Sequence, residues 1–133
     1  MVSTCVRQCN KSIEASNTTP VFAPWDSMAY EQRQEWIEWH LKHPTDDMFE
    51  LTVVTNQSIK NMFNYPSTVN LKNGGALFVN AFVVDADSGL VYENGIATAK
   101  NSFGLELEYK YFLKWKITQQ EIKLLDISIS EPY

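Results

Sequence analysis

Arginine is nearly missing from this chain. Of 133 residues, 11 are basic, yet only Arg7 and Arg33 carry a guanidinium, and the net charge is −5. Phosphate binding needs clustered Lys and Arg to release counterions, so this balance weighs against a nucleic-acid partner. No apolar run approaches the roughly 18 residues that span a bilayer, and no membrane association is expected. The N-terminus has no continuous apolar segment of the secretory kind, so a cytoplasmic protein is expected. Three Asn-x-Ser/Thr triplets, at Asn10, Asn17 and Asn56, therefore carry little meaning.

Cysteine and histidine are equally sparse. Cys5 and Cys9 form a Cys-x3-Cys pair, and His40 and His43 fall in no known metal motif. A zinc site normally takes four ligands, so two free thiols and no metal are expected. No Ser-His-Asp order, phosphate-cradling glycine loop or nucleotide fingerprint can be read, and no cofactor is expected.

What remains is the composition of an ordinary globular protein, with 44% apolar and 20% charged residues. A chain of this length forms a single domain over residues 1–133, with 1–22 as a polar arm or short helix. The clearest pattern lies at the C-terminal end. From Leu105 to Ile117 every odd residue is apolar, while the even ones are charged except Phe112. This alternation predicts a half-buried strand. Ile122 to Ser130 follows after a short polar turn, with Leu125, Ile127 and Ile129 as its best apolar set, and the two runs read as an antiparallel hairpin. Matching the apolar faces places Trp115 opposite Leu125, Leu113 opposite Ile127, Tyr111 opposite Ile129 and Tyr109 opposite Glu131.

Upstream, Ala29 to His43 is the strongest helical stretch and is stopped by Pro44. Arg33, Trp36, Ile37, His40 and Leu41 share one of its sides. Asp46 and Asp47 read as a loop, Phe49 to Thr55 as a strand, and Asn56 to Phe63 as either a short helix or an irregular link. Pro66 to Gly75 is a loop ending in the Asn73-Gly74-Gly75 turn signal. Ala76 to Val84 and Leu90 to Ala99 then form a hairpin around Asp85 to Gly89. The order of elements predicts an α+β fold, a curved antiparallel sheet of about five strands wrapped on an N-terminal helix or helices. Such a sheet would enclose a cone-shaped pocket, the default place for a ligand.

The run from Gly75 to Pro132, GALFVNAFVVDADSGLVYENGIATAKNSFGLELEYKYFLKWKITQQEIKLLDISISEP, resembles the C-terminal meander of the nuclear transport factor 2-like superfamily, which includes the SnoaL-like cyclases. The resemblance covers somewhat under half the chain. The N-terminal half departs from it, because the usual pair of opening helices is hard to place. The resemblance implies a choice among cofactor-free isomerases, dehydratases, epoxide hydrolases and polyketide cyclases, or non-catalytic transport factors and immunity proteins. Fungal members of similar size act in natural-product pathways, some by ring expansion or a semipinacol-type shift. It also implies a homodimer through the outer face of the sheet, the face that carries Phe112.

Candidate site residues follow from the hairpin and the helix. Tyr109 and Glu131 meet where the apolar face ends, and a carboxyl beside that face would have a raised pKa and could donate a proton. Tyr111 shares the face with Tyr109, and Leu113, Trp115 and Trp36 would line the cavity. Asp126 either faces solvent or, with a slipped register, becomes a buried acid. Arg33 could hold a ligand oxygen or form a salt bridge, and His40 could transfer a proton or pack in the core. The leading expectation is a cofactor-independent isomerase or cyclase acting on a hydrophobic small molecule by acid–base catalysis, with Glu131, Tyr109, Arg33 and His40 as the catalytic set. The alternatives are a non-catalytic binding protein, with a filled cone and exposed outer-face aromatics, and a small-ligand carrier or structural dimer.

Overall fold

The computed structural model describes residues 20–130. The N-terminal arm with Cys5 and Cys9, and the expected Tyr109–Glu131 pair, lie outside or reach beyond these residues. Two helices pack on one face of a five-stranded antiparallel sheet that does not close into a barrel. The fold is α+β, as the order of elements implied.

Helix α1 spans Tyr30–Lys42, where the sequence placed it, and its first turn is fixed by Gln32 Oε1 accepting the Ala29 N–H at 2.8 Å. Helix α2 spans Asp46–Asn61 and corrects the reading of Asp46 and Asp47 as a loop and Phe49 to Thr55 as a strand. The β-branched run Thr52, Val53, Val54 and Thr55 imitates a strand. Three helical signals outweigh it: the Thr45 hydroxyl caps Met48 N at 3.3 Å, two aspartates occupy the first turn, and Met48, Thr52, Thr55 and Ile59 recur at helical spacing as the buried face.

The chain then crosses to β1, Asn70–Leu71, and reaches β2, Ala81–Asp85, through a glycine-bearing turn. The expected strand from Ala76 is five residues too long at its start, because Phe78 adopts φ 64°. Its N–H donates to the Glu93 carboxylate at 2.7 Å instead of joining a ladder. Gly75, at φ 87°, is held close to α2, where Asn56 Oδ1 accepts the Ala76 N–H at 2.7 Å and would collide with any β-carbon on the glycine.

Strands β3 (Leu90–Lys100), β4 (Glu106–Ile117) and β5 (Ile122–Ile129) form the body of the sheet. Leu113 does lie opposite Ile127, and Tyr111 opposite Ile129. Trp115, however, lies opposite Leu124, because a bulge inserts Leu125 between Asp126 and Leu124. Leu125 is thereby turned outward, 48% exposed. Trp36, Ile37, Leu41, Met48 and Ile59 from the helices are buried in one cluster with Val91, Tyr111, Leu113, Trp115 and Ile117. This cluster packs the helices onto the sheet. No helix among the described residues is long and apolar enough to cross a membrane.

Candidate functional site

Along β3 the covered face carries Val91, Glu93, Gly95, Ala97 and Ala99, one acid in a row of small and apolar residues. Glu93 is only 2% exposed. Its Oε1 accepts from Trp115 Nε1 at 2.9 Å and its Oε2 from Phe78 N at 2.7 Å, and the Leu77 backbone N–H adds a third bond. These donors favour the charged form, yet desolvation outweighs them and raises the carboxyl above its ordinary 4.5.

Tyr111 is the diagonal neighbour of Glu93 on the same face, lying opposite Gly95 in β3. Its ring occupies the space that a side chain at position 95 would fill, with the hydroxyl over the glycine. The side chain is 1% exposed, and its hydroxyl has no hydrogen-bond partner among the described residues. Burial, then the negative charge of Glu93, pushes the phenol up to about 12. It therefore remains an O–H donor throughout the physiological range.

Both groups line one opening at the free edge of β3. The opening holds about 170 Å³ and is rimmed by Lys72, Asn73 and Gly75 on one side and Val79 and Asn80 on the other. This is slightly more than the ~150 Å³ that accommodates a benzene ring. It is a gap in the sheet, because β1 pairs with Ala97 and Thr98 while β2 begins opposite Glu93. A hollow of about 210 Å³ adjoins it through Asn80, Asn94, Gly95 and Ile96 on the side of Phe112, and two still larger ones lie elsewhere. One, of about 590 Å³, lies between α1 and β2 over Leu41, Phe49 and Val83. The other, of about 650 Å³, lies between the helices and the β4–β5 turn.

Of the residues singled out by sequence, Tyr111, Leu113 and Trp115 come together in the buried face, with Trp115 bonded directly to Glu93. The others are dispersed. Tyr109 is half-buried and packs edge-on against Phe63, with ring centroids 4.9 Å apart. Arg33 donates through Nε to the Trp25 carbonyl at 3.1 Å, pairs with Asp87 at 3.2 Å and covers the Trp25 ring, so it ties the start of α1 to the β2–β3 turn. His40 stacks on Trp36 at 4.0 Å, its Nδ1 lies 2.8 Å from the Trp36 carbonyl, and both rings border the 650 Å³ hollow. Asp126 is exposed on the outer face opposite Lys114. Glu131, the expected acid, lies outside the described residues.

Glu93 was not among the sequence candidates. Its signal was present in the parity of β3: with Tyr92, Asn94, Ile96 and Thr98 on one side, Glu93 must share the other with Val91, Ala97 and Ala99. No cluster of three or more His, Cys, Asp or Glu among the described residues is placed to hold a metal ion. No protein-family model, curated protein or solved structure matches this chain.

Proposed function

We propose that the protein binds a compact, largely apolar molecule bearing an oxygen in the opening beside Glu93 and Tyr111, and rearranges it by acid–base catalysis without a cofactor. The class is that of the isomerases and cyclases of the nuclear transport factor 2-like superfamily, with Glu93 in the role the sequence suggested for Glu131. One observation carries the reading: a buried carboxyl and a buried phenol without a hydrogen-bond partner among the described residues line the same small opening. Tyr111 would donate its O–H to a substrate carbonyl. Glu93, with its raised pKa, would take a proton from the adjacent carbon and return it at another carbon of the conjugated system. A semipinacol-type shift would instead use protonated Glu93 as the acid. The test is exchange of solvent deuterium into a panel of enolisable cyclic ketones, followed by NMR. Glu93→Gln should slow exchange by about 10²-fold or more, the usual contribution of a positioned general base. Unchanged exchange in that variant would remove the catalytic role.

A second reading, a non-catalytic binding module, is favoured by apolar residues on the outer face of the sheet. Phe82, Val84, Phe112 and Leu125 are each 41–50% exposed there. The partner that fits is a second copy of this chain. Along β4 the outward residues are Glu106, Glu108, Lys110, Phe112, Lys114 and Lys116, so two antiparallel copies centred on Phe112 would set Glu108 against Lys116, at the cost of Lys110 facing Lys114. Sedimentation should show a dimer that Phe112→Glu dissociates, and a wild-type monomer at high concentration would contradict this reading.

A further inference from the structure

The hollow of about 650 Å³ between the helices and the β4–β5 turn shares no lining residue with the opening beside Glu93. Its charged lining residues, Asp47, Glu50 and Glu121, are all acids, and no Lys or Arg stands among them. Trp36, Leu51, Val54 and Ile122 supply its apolar surface.

Much of the polar lining is committed to the fold. Thr45 Oγ1 accepts from Met48 N at 3.3 Å, and Thr118 Oγ1 donates to the Glu121 carbonyl at 3.3 Å. The Gln119 amide is divided between Trp25 N and the Ala23 carbonyl. Glu121 is held by Lys116 at 3.1 Å and Lys123 at 3.3 Å. The Asp47 and Glu50 carboxylates, three residues apart on α2, have no ion-pair or hydrogen-bond partner among the described residues. A charge of one sign is therefore left uncompensated on the helix side of the hollow.

Two stacked rings add a complementary pair of polar atoms. His40 Nδ1 lies 2.8 Å from the Trp36 carbonyl, which can only accept, so Nδ1 carries the proton and Nε2 of the neutral ring is an acceptor. Trp36 is 8% exposed, and its indole N–H has no acceptor among the described residues. A buried donor left unpaired is costly, and a ligand oxygen would relieve it. A hydroxyl is the group that serves both rings, accepting from Trp36 Nε1 and donating to His40 Nε2.

We propose that this hollow binds an apolar primary amine with a hydroxyl on the neighbouring carbon, an amino alcohol of the phenylalaninol type. The ammonium pairs with the Asp47 and Glu50 carboxylates, the hydroxyl sits at the two rings, and the hydrocarbon covers Leu51, Val54 and Ile122. The acids and His40 form no metal-binding cluster, so the cation they suit is organic. An anionic ligand would meet the same carboxylates unpaired and is selected against.

The test is a titration of the full chain with phenylalaninol at low salt, read by NMR of the tryptophan indole N–H groups. The Trp36 indole N–H should shift downfield in a saturable manner, in the millimolar range expected of so small a ligand. N-acetylphenylalaninol, which lacks the charge, and phenethylamine, which lacks the hydroxyl, should each bind about fivefold more weakly. The Asp47→Asn/Glu50→Gln variant should lose about fivefold for phenylalaninol and nothing for the acetylated compound. An unmoved Trp36 indole N–H, equal binding of N-acetylphenylalaninol, or undiminished phenylalaninol binding by the double variant would overturn the inference.

Discussion

Replacing Gly95 with alanine is the sharpest single perturbation of the site. A β-carbon there falls well under 3.0 Å from Cζ and Oη of Tyr111, nearer than real β-carbons come to other atoms. The ring is 1% exposed, among core residues that leave it little room to move. Overpacking of this kind costs about 1–3 kcal/mol. If the ring is expelled instead, the lost burial costs a similar amount, about 1.5–3 kcal/mol. Alanine is favoured over glycine within a strand by about 0.5–1 kcal/mol, which offsets part of either cost. The expected net loss is about 1 kcal/mol, read as a fall of roughly 0.5 M in the urea midpoint at unchanged m. In a Tyr111→Ala background, where the β-carbon enters the space left by the ring, the same substitution should instead stabilise by about 0.5–1 kcal/mol, giving a coupling of about 2 kcal/mol. A Gly95→Ala protein within about 0.5 kcal/mol of wild type, or the same cost in both backgrounds, would refute the packing described for Tyr111.

Glu93 links stability to pH in a direction its burial dictates. Because its folded pKa is raised, its favourable contribution is complete below the ordinary value of 4.5 and declines as pH rises through the folded pKa. Wild type should therefore lose stability relative to Glu93→Gln across that interval in urea unfolding, and a constant difference would contradict the assignment. Tyr111 should titrate near 12 in an ultraviolet absorbance titration, with stability lost as pH rises from 10 toward that value. Tyr111→Phe should remove that late phase. Arg33→Ala should cost about 1–2 kcal/mol because it removes the charged donor to the Trp25 carbonyl, which keeps only the Met28 N–H, whereas Asp87→Asn should change stability by less than about 0.5 kcal/mol, since Asp87 is 59% exposed.

The parts of this fold that were legible in the sequence are those governed by a single periodicity. Helix α1 and the β4–β5 hairpin were readable because the pattern extends over a dozen residues, and Leu113↔Ile127 and Tyr111↔Ile129 follow from matching apolar faces. The register failed at Trp115 because a bulge absorbs one residue, and Leu125 and Leu124 are equally apolar. Helix α2 was misread where β-branched residues occupy a helical surface, with Val53 and Val54 exposed. The start of β2 was misplaced because the Leu77–Phe78 backbone answers to a carboxylate 15 residues away. The same carboxylate is the centre of the candidate site. Glu93 became visible only when the segment that buries it was in place, whereas Tyr111 was legible as an inward aromatic without any sign that Gly95 makes room for it.

The most direct measurement of the central claim is a crystal structure of the protein soaked with a panel of compact carbonyl and amide fragments. The account predicts a fragment in the gap between β1 and β2, with an oxygen about 3 Å from the Tyr111 hydroxyl and the Glu93 carboxyl beside it. Fragments confined to the two larger hollows, with the Tyr111 hydroxyl covered by the chain itself, would contradict it.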